Sequence, residues 1–94
     1  MMDMNNKVIY FLGIGGIGMS ALARFFASKG CTVAGYDRTR SALTSALESE
    51  GIAVHYHADP SLIPDNVDLA VLTPAVPSSL SELARLKERH IPVL

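Results

Sequence analysis

Apolar residues in this chain come in short dense runs, separated by stretches where charge, glycine or proline returns. Residues 7–12 (KVIYFL) are almost continuously apolar, the pattern of a parallel strand covered on both faces. Glycines break the run over 13–18, and a helix is predicted over 16–28 with Gly30 as its C-terminal stop. Residues 32–36 (TVAGY) read as a second strand ending at Asp37. A second helix is expected over 41–50, with Leu43 and Leu47 one turn apart on its core side and Gly51 ending it. Residues 53–56 make a third short strand. Pro60 and Pro64 mark 58–66 as a loop, and the Asp59-Pro60 step favours one helical turn within it. Residues 67–73 (VDLAVLT) are a fourth strand. Ser79-Leu80-Ser81-Glu82 fits a capping box, in which the Ser79 hydroxyl and the Glu82 carboxylate satisfy orphan amides. The helix it opens turns Leu80, Leu83 and Leu86 inward. Arg85, Lys87, Arg89 and His90 lie toward its end, where positive charge suits the helix dipole. Residues 91–94 begin a fifth strand and the chain stops there, as expected of a piece of a longer protein.

Four to five strands alternating with helices predict a Rossmann-like, doubly wound α/β parallel sheet, one small domain over 1–94. Composition supports a packed core, with 49% hydrophobic and 18% charged residues in 94. Cys31 is the sole cysteine, which excludes an internal disulfide and suits a reducing, cytoplasmic setting. A formal net charge of −1 leaves no electrostatic footprint for nucleic acid or an anionic membrane. The uncharged stretch 8–23 faintly resembles a membrane segment, but its glycines, its short span and Arg24 favour the soluble reading.

Gly13-Ile14-Gly15-Gly16-Ile17-Gly18 satisfies G-x-G-x-x-G after a strand and at the opening of a helix. Side chains at Gly13 or Gly15 are expected to block the turn or the approach of a diphosphate. Gly18 is expected to let the helix pack closely on the sheet, and the helix N-terminus offers amides and partial positive charge. Asp37, at the carboxyl end of the second strand, is placed for a ribose hydroxyl or a base N–H, or else caps the next helix. The motif does not select the nucleotide; NAD and UDP present similar diphosphates to it.

GIGGIGMSALA over 13–23 and LTPAVP over 72–77 resemble the first domain of the Mur ligases, closest to the branch that joins L-alanine to UDP-N-acetylmuramate. The resemblance runs from Lys7 to Leu94. It implies that Gly13, Ile14, Gly15, Gly16, Ile17, Gly18, Met19 and Ser20 hold the diphosphate of UDP-N-acetylmuramate. It places Asp37 with Thr73, Pro74, Ala75 and Val76 near the uridine. His57 matches a histidine that relatives show after glycine, where this chain has Tyr56. Relatives often read Asn-Pro-Glu where this chain has Leu80-Ser81-Glu82, a departure expected to affect only how the helix begins. The family's peptidoglycan-building reaction needs ATP and magnesium, and belongs to central and C-terminal domains absent here. None of the lysines, Lys7, Lys29 and Lys87, follows a glycine, so no catalytic residue and no Walker-type loop is assigned.

Other candidates are weaker. His55 and His57 share a strand face and Asp59 is near, but two ligands do not make a metal site, and none is assigned. Cys31 is expected to be buried and inert, and His90 to answer the helix dipole. Phe25 and Phe26 are expected in helix–sheet packing, and Arg38 and Arg40 either contact a phosphate or, by default, sit in solvent. Ser20 could bond a phosphate or pack. The competing functions are an NAD-binding half of a dehydrogenase and a nucleotide-sensing regulatory domain.

Overall fold

In a computed structural model of the chain, residues 6–94 are described. Strand β1 (Val8–Leu12) leads into α1 (Ile17–Ser28), β2 (Thr32–Tyr36), α2 (Ala42–Ser49) and β3 (Ala53–His55). A 3-10 turn (Pro60–Leu62), β4 (Leu69–Leu72) and α3 (Ser81–Glu88) follow. All pairings are parallel, in the order β3-β2-β1-β4. A parallel bridge between Ala70 and Val93 starts a fifth strand beside β4. The alternation read from the sequence is therefore the doubly wound α/β fold. Strand ends are one to two residues shorter than expected at β3 and β4.

Every residue of β1 is buried, because it is the central strand with helices on both sides. Ile9, Phe11, Val33 and Val71 face α1 and α2, where Ala23, Phe26 and Leu47 meet them. Tyr10, Leu12 and Ala70 face the opposite way and pack with Ile63, Leu83 and Leu86 of the α3 side. The chain runs outward from β1 through β2 to β3, then returns across the sheet to β4. The reversal leaves a crevice at the carboxyl ends of β1 and β4, where ligands bind in open α/β sheets.

Two elements form differently from the sequence reading. The box expected at Ser79 is absent: Leu80 is the N-cap of α3 and makes no side-chain cap bond. Glu82 lies one position earlier in the helix than a box requires and turns into the interior, fully buried. A real capping box opens α2, where Ser41 and Thr44 each accept from the other's backbone amide. Thr44, rather than Leu43, joins Leu47 in the core. Phe26 packs as expected but Phe25 is 49% exposed, with the Lys29 ammonium 5.5 Å from its ring centre. Among the described residues no helix is long and apolar enough to cross a membrane.

Candidate functional site

A cleft of about 360 Å³ occupies the crevice. Tyr36, Asp37, Arg38 and Thr39, at the end of β2, form one wall. Thr73, Ala75, Val76, Pro77 and Leu80, between β4 and α3, form the other, and Gly13 and Gly16 make the floor. The structure thus brings together Gly13, Gly16, Asp37, Thr73, Ala75 and Val76 of the residues expected from sequence. It adds Tyr36, Arg38, Thr39, Pro77 and Leu80. Arg38, expected against a phosphate or in solvent, stands exposed at the rim.

The floor is shaped by two close approaches. Gly13 has φ +88°, and a Cβ there would run into the Thr73 side chain. At Gly15 a Cβ would lie 2.7 Å from Asp37 Oδ2 and 2.8 Å from Thr44 Cγ2. The space above Gly15 is therefore filled by the protein itself, not left for a ligand. Gly18 also departs from expectation, because a Cβ there meets nothing within 4 Å and it faces solvent rather than the sheet.

Hydrogen bonding divides the loop amides into two sets. Those of Gly13 and Ile14 donate to the Tyr36 carbonyl at 2.8 and 3.1 Å, and Gly16 donates to the Gly13 carbonyl. The Gly15 amide donates to Asp37 Oδ2 at 2.8 Å, while Thr39 donates to Oδ1 at 2.9 Å. Asp37 is thus a brace between the loop and the turn after β2. The amides of Ile17, Gly18 and Met19, in the first turn of α1, find no acceptor among the described residues. That turn carries no acidic residue and no side-chain cap. It can receive an anion.

The remaining expected residues lie off the cleft lining. Ile14 is fully buried in the core. Ile17 is 83% exposed at the loop tip, and Met19 packs partly against the core. The Ser20 hydroxyl, nearly inaccessible, donates to the Ile17 carbonyl at 3.0 Å. Pro74 and His57 are outside the lining, and His57 is exposed. Arg40 is held by Glu48 at 3.2 Å and lies over the Tyr56 ring. Cys31 is buried, and burial, with Asp68 nearby, raises its thiol pKa, as an inert thiol requires. Among the described residues no group of three His, Cys, Asp or Glu could hold a metal ion.

Sequence reasoning missed a polar cluster under the cleft. Glu82 accepts hydrogen bonds from the Tyr10 hydroxyl, from His55 Nε2 at 2.8 Å and from the Asp59 amide at 2.8 Å. Tyr10 and His55 sit on strands separated by β2, and reach each other over Ala34, the register partner of Tyr10. Burial pushes the Glu82 carboxyl upward, but the hydrogen bonds from His55, Tyr10 and Asp59 outweigh it and hold it below the usual range. Since an ionised carboxylate only accepts, His55 Nε2 carries the proton. The available signal was Tyr10 itself, a phenol within an otherwise apolar central strand whose hydroxyl needs a buried partner.

The family model described as "Mur ligase family, catalytic domain" matches residues 8–94. The chain is 48% identical over 101 aligned positions to a UDP-N-acetylmuramate–L-alanine ligase of Christiangramia forsetii, covering 100% of this chain and 22% of that protein. A crystal structure of a UDP-N-acetylmuramate–alanine ligase from Thermotoga maritima superposes with TM-score 0.85 at 35% identity, over 90% of this chain and 20% of that one. The chain therefore spans about a fifth of the length of the curated relatives it matches. D-lactate dehydrogenase from Escherichia coli, at 20% identity and TM-score 0.67 over 98% of this chain and 28% of that one, shares the fold alone.

Proposed function

The chain belongs to the Mur ligase family, and from that premise we propose that it is the N-terminal, UDP-sugar-binding domain of a cytoplasmic UDP-N-acetylmuramate–L-alanine ligase. The observation that carries the reading is the set of acceptor-free amides at Ile17, Gly18 and Met19, opening beside a cleft of nucleotide size. In this reading the diphosphate lies over the loop and takes those three amides with the partial positive charge of α1. Gly13 and Gly16 keep the floor low enough for it to approach. The uridine occupies the space between Asp37 and the 73–76 wall, and His57 stays at the margin.

ATP and magnesium serve the whole enzyme's amide-forming step. The residues present here do not fit them, since no lysine follows a glycine and no phosphoryl-transfer group lines the cleft. This domain's part is to hold and orient UDP-N-acetylmuramate for the central and C-terminal domains, which supply the chemistry of peptidoglycan synthesis. An NAD-binding role is less well supported. The dehydrogenase shares only the fold, at 20% identity, whereas the ligase relatives match at 48% and 50%. Calorimetric titration with UDP-N-acetylmuramate, UDP and NAD separates the two. Heat from both uridine ligands and none from NAD is expected; saturable NAD binding with silent uridine ligands overturns the proposal.

A further inference from the structure

The 73–80 wall of the cleft has no regular structure of its own. It is pinned to the sheet at its start, where the Thr73 amide donates to the Leu12 carbonyl at 3.3 Å. Two turns follow, closed by Val76 donating to the Thr73 carbonyl and Leu80 to the Pro77 carbonyl. At its far end the wall runs into α3 through an N-cap that lacks any side-chain bond. What fixes that end is Glu82, two residues on. Its buried carboxylate is held by β1 through Tyr10, by β3 through His55 and by the start of the 3-10 turn through the Asp59 amide. His55 also lies against Tyr36 of the opposite wall, with ring centres 5.6 Å apart. The two walls are thus joined beneath the cleft through one imidazole.

Leu83 and Leu86 already bury the apolar face of α3. Apolar contacts hold a helix down but leave its rotation and axial position weakly set, whereas three directional bonds to one carboxylate fix both. A charge in that place is costly unless fully partnered. Its presence is accounted for if the geometry at the start of α3 matters.

We propose that Glu82 is a positioning residue of the nucleotide cleft, setting the 73–80 wall against Tyr36 through its bonds to Tyr10 and His55. The proposal rests on the reading of the cleft as a uridine-diphosphate site, and adds to it a residue that touches no ligand. Glu82→Gln keeps the size of the side chain but removes its charge, and with the amide oxygen kept toward His55 and the Asp59 amide its NH2 replaces the acceptor that faces the Tyr10 hydroxyl. Tyr10→Phe is milder, removing one hydroxyl and leaving the ring.

The test has two independent readouts on the folded 94-residue chain. UDP affinity is expected to weaken roughly tenfold in Glu82→Gln and about threefold in Tyr10→Phe. Without ligand, hydrogen exchange at the Val76 and Leu80 amides is expected to speed up in both variants, while β1 keeps its protection. Unchanged exchange at those amides, or wild-type UDP affinity in a folded Glu82→Gln, overturns the proposal. If Glu82→Gln does not fold, Tyr10→Phe decides by the same criteria. Should the wild type fail to bind UDP, the functional reading falls, and the exchange data alone judge the positioning role.

Discussion

Gly15 shows how a phosphate-loop glycine can be required for a reason internal to the protein. Its missing side chain leaves room for the Asp37 carboxylate and the Thr44 methyl, both within van der Waals reach of where a Cβ would stand. Neither neighbour has an easy retreat. Asp37 is held at its other oxygen by the Thr39 amide, and Thr44 is fully buried and locked into the capping box of α2. Gly15→Ala should therefore destabilise the fold by about 1–3 kcal/mol, the usual cost of overpacking. Denaturant unfolding measures it, and a variant as stable as wild type would show that the close approach is not real. UDP binding should weaken too, since a displaced Asp37 releases the Gly15 amide and loosens the floor. The spacing of the glycines and the later acid was plain in the sequence. What fills the space above Gly15 was not, because Asp37 arrives there only through the register that pairs Leu12 with Tyr36.

The elements were legible wherever a local signal agreed with burial. Apolar runs marked β1, β2 and β4, and glycines marked the ends of α1 and α2, where Gly30 and Gly51 take positive φ. At the end of α3 the same left-handed position is held by His90, at φ 55°. No glycine marks this exit in the sequence, and histidine there holds a left-handed backbone that a residue with a Cβ adopts only at a cost. His90 is exposed, so His90→Gly should relieve the strain without disturbing packing. A gain of about 0.5–1 kcal/mol is expected. It would appear as a higher melting temperature; a lower one would mean that the imidazole contributes more than its backbone costs. The misplaced box at Ser79 teaches the complementary lesson. A helix start shifted by one residue turns Glu82 from an outward cap into a core residue, and local sequence does not contain the sheet it then meets. The box at Ser41 was overlooked for a related reason, since threonine supplies the reciprocal bond in place of glutamate or glutamine.

At the scale of the whole molecule, the sheet order decides both the cleft and the spine beneath it. The doubly wound topology follows from alternating strands and helices, and with it the crevice where the chain reverses. The Tyr10–His55–Glu82 cluster needs that topology first, because it joins residues from β1, β3 and α3 that no spacing relates. It also ties global stability to pH. Tyr10 from β1, Tyr36 from β2, His55 from β3, His57 after it and Asp59 at the 3-10 turn are the titratable groups around Glu82. Burial, reinforced by Glu82, pushes the Tyr10 phenol far above its usual range, so it remains a donor throughout. The Glu82 carboxyl is instead lowered in the folded state. Folding therefore gains from its ionisation above the unfolded value, about 4.3, and loses that gain as pH falls through the lower folded value. Glu82→Gln has no proton to take up there. The stability difference between wild type and Glu82→Gln should be constant near neutrality and shrink below about pH 4, as urea unfolding at a series of pH values would record. A difference that stays level into acid would mean that folding leaves the carboxyl's affinity for its proton unchanged, and one that instead grows as pH falls from neutrality toward about 4 would mean that the folded protein keeps the carboxyl protonated. Glu82 would then donate a hydrogen bond as well as accept, and the assignment of the proton to His55 Nε2 would have to be reversed.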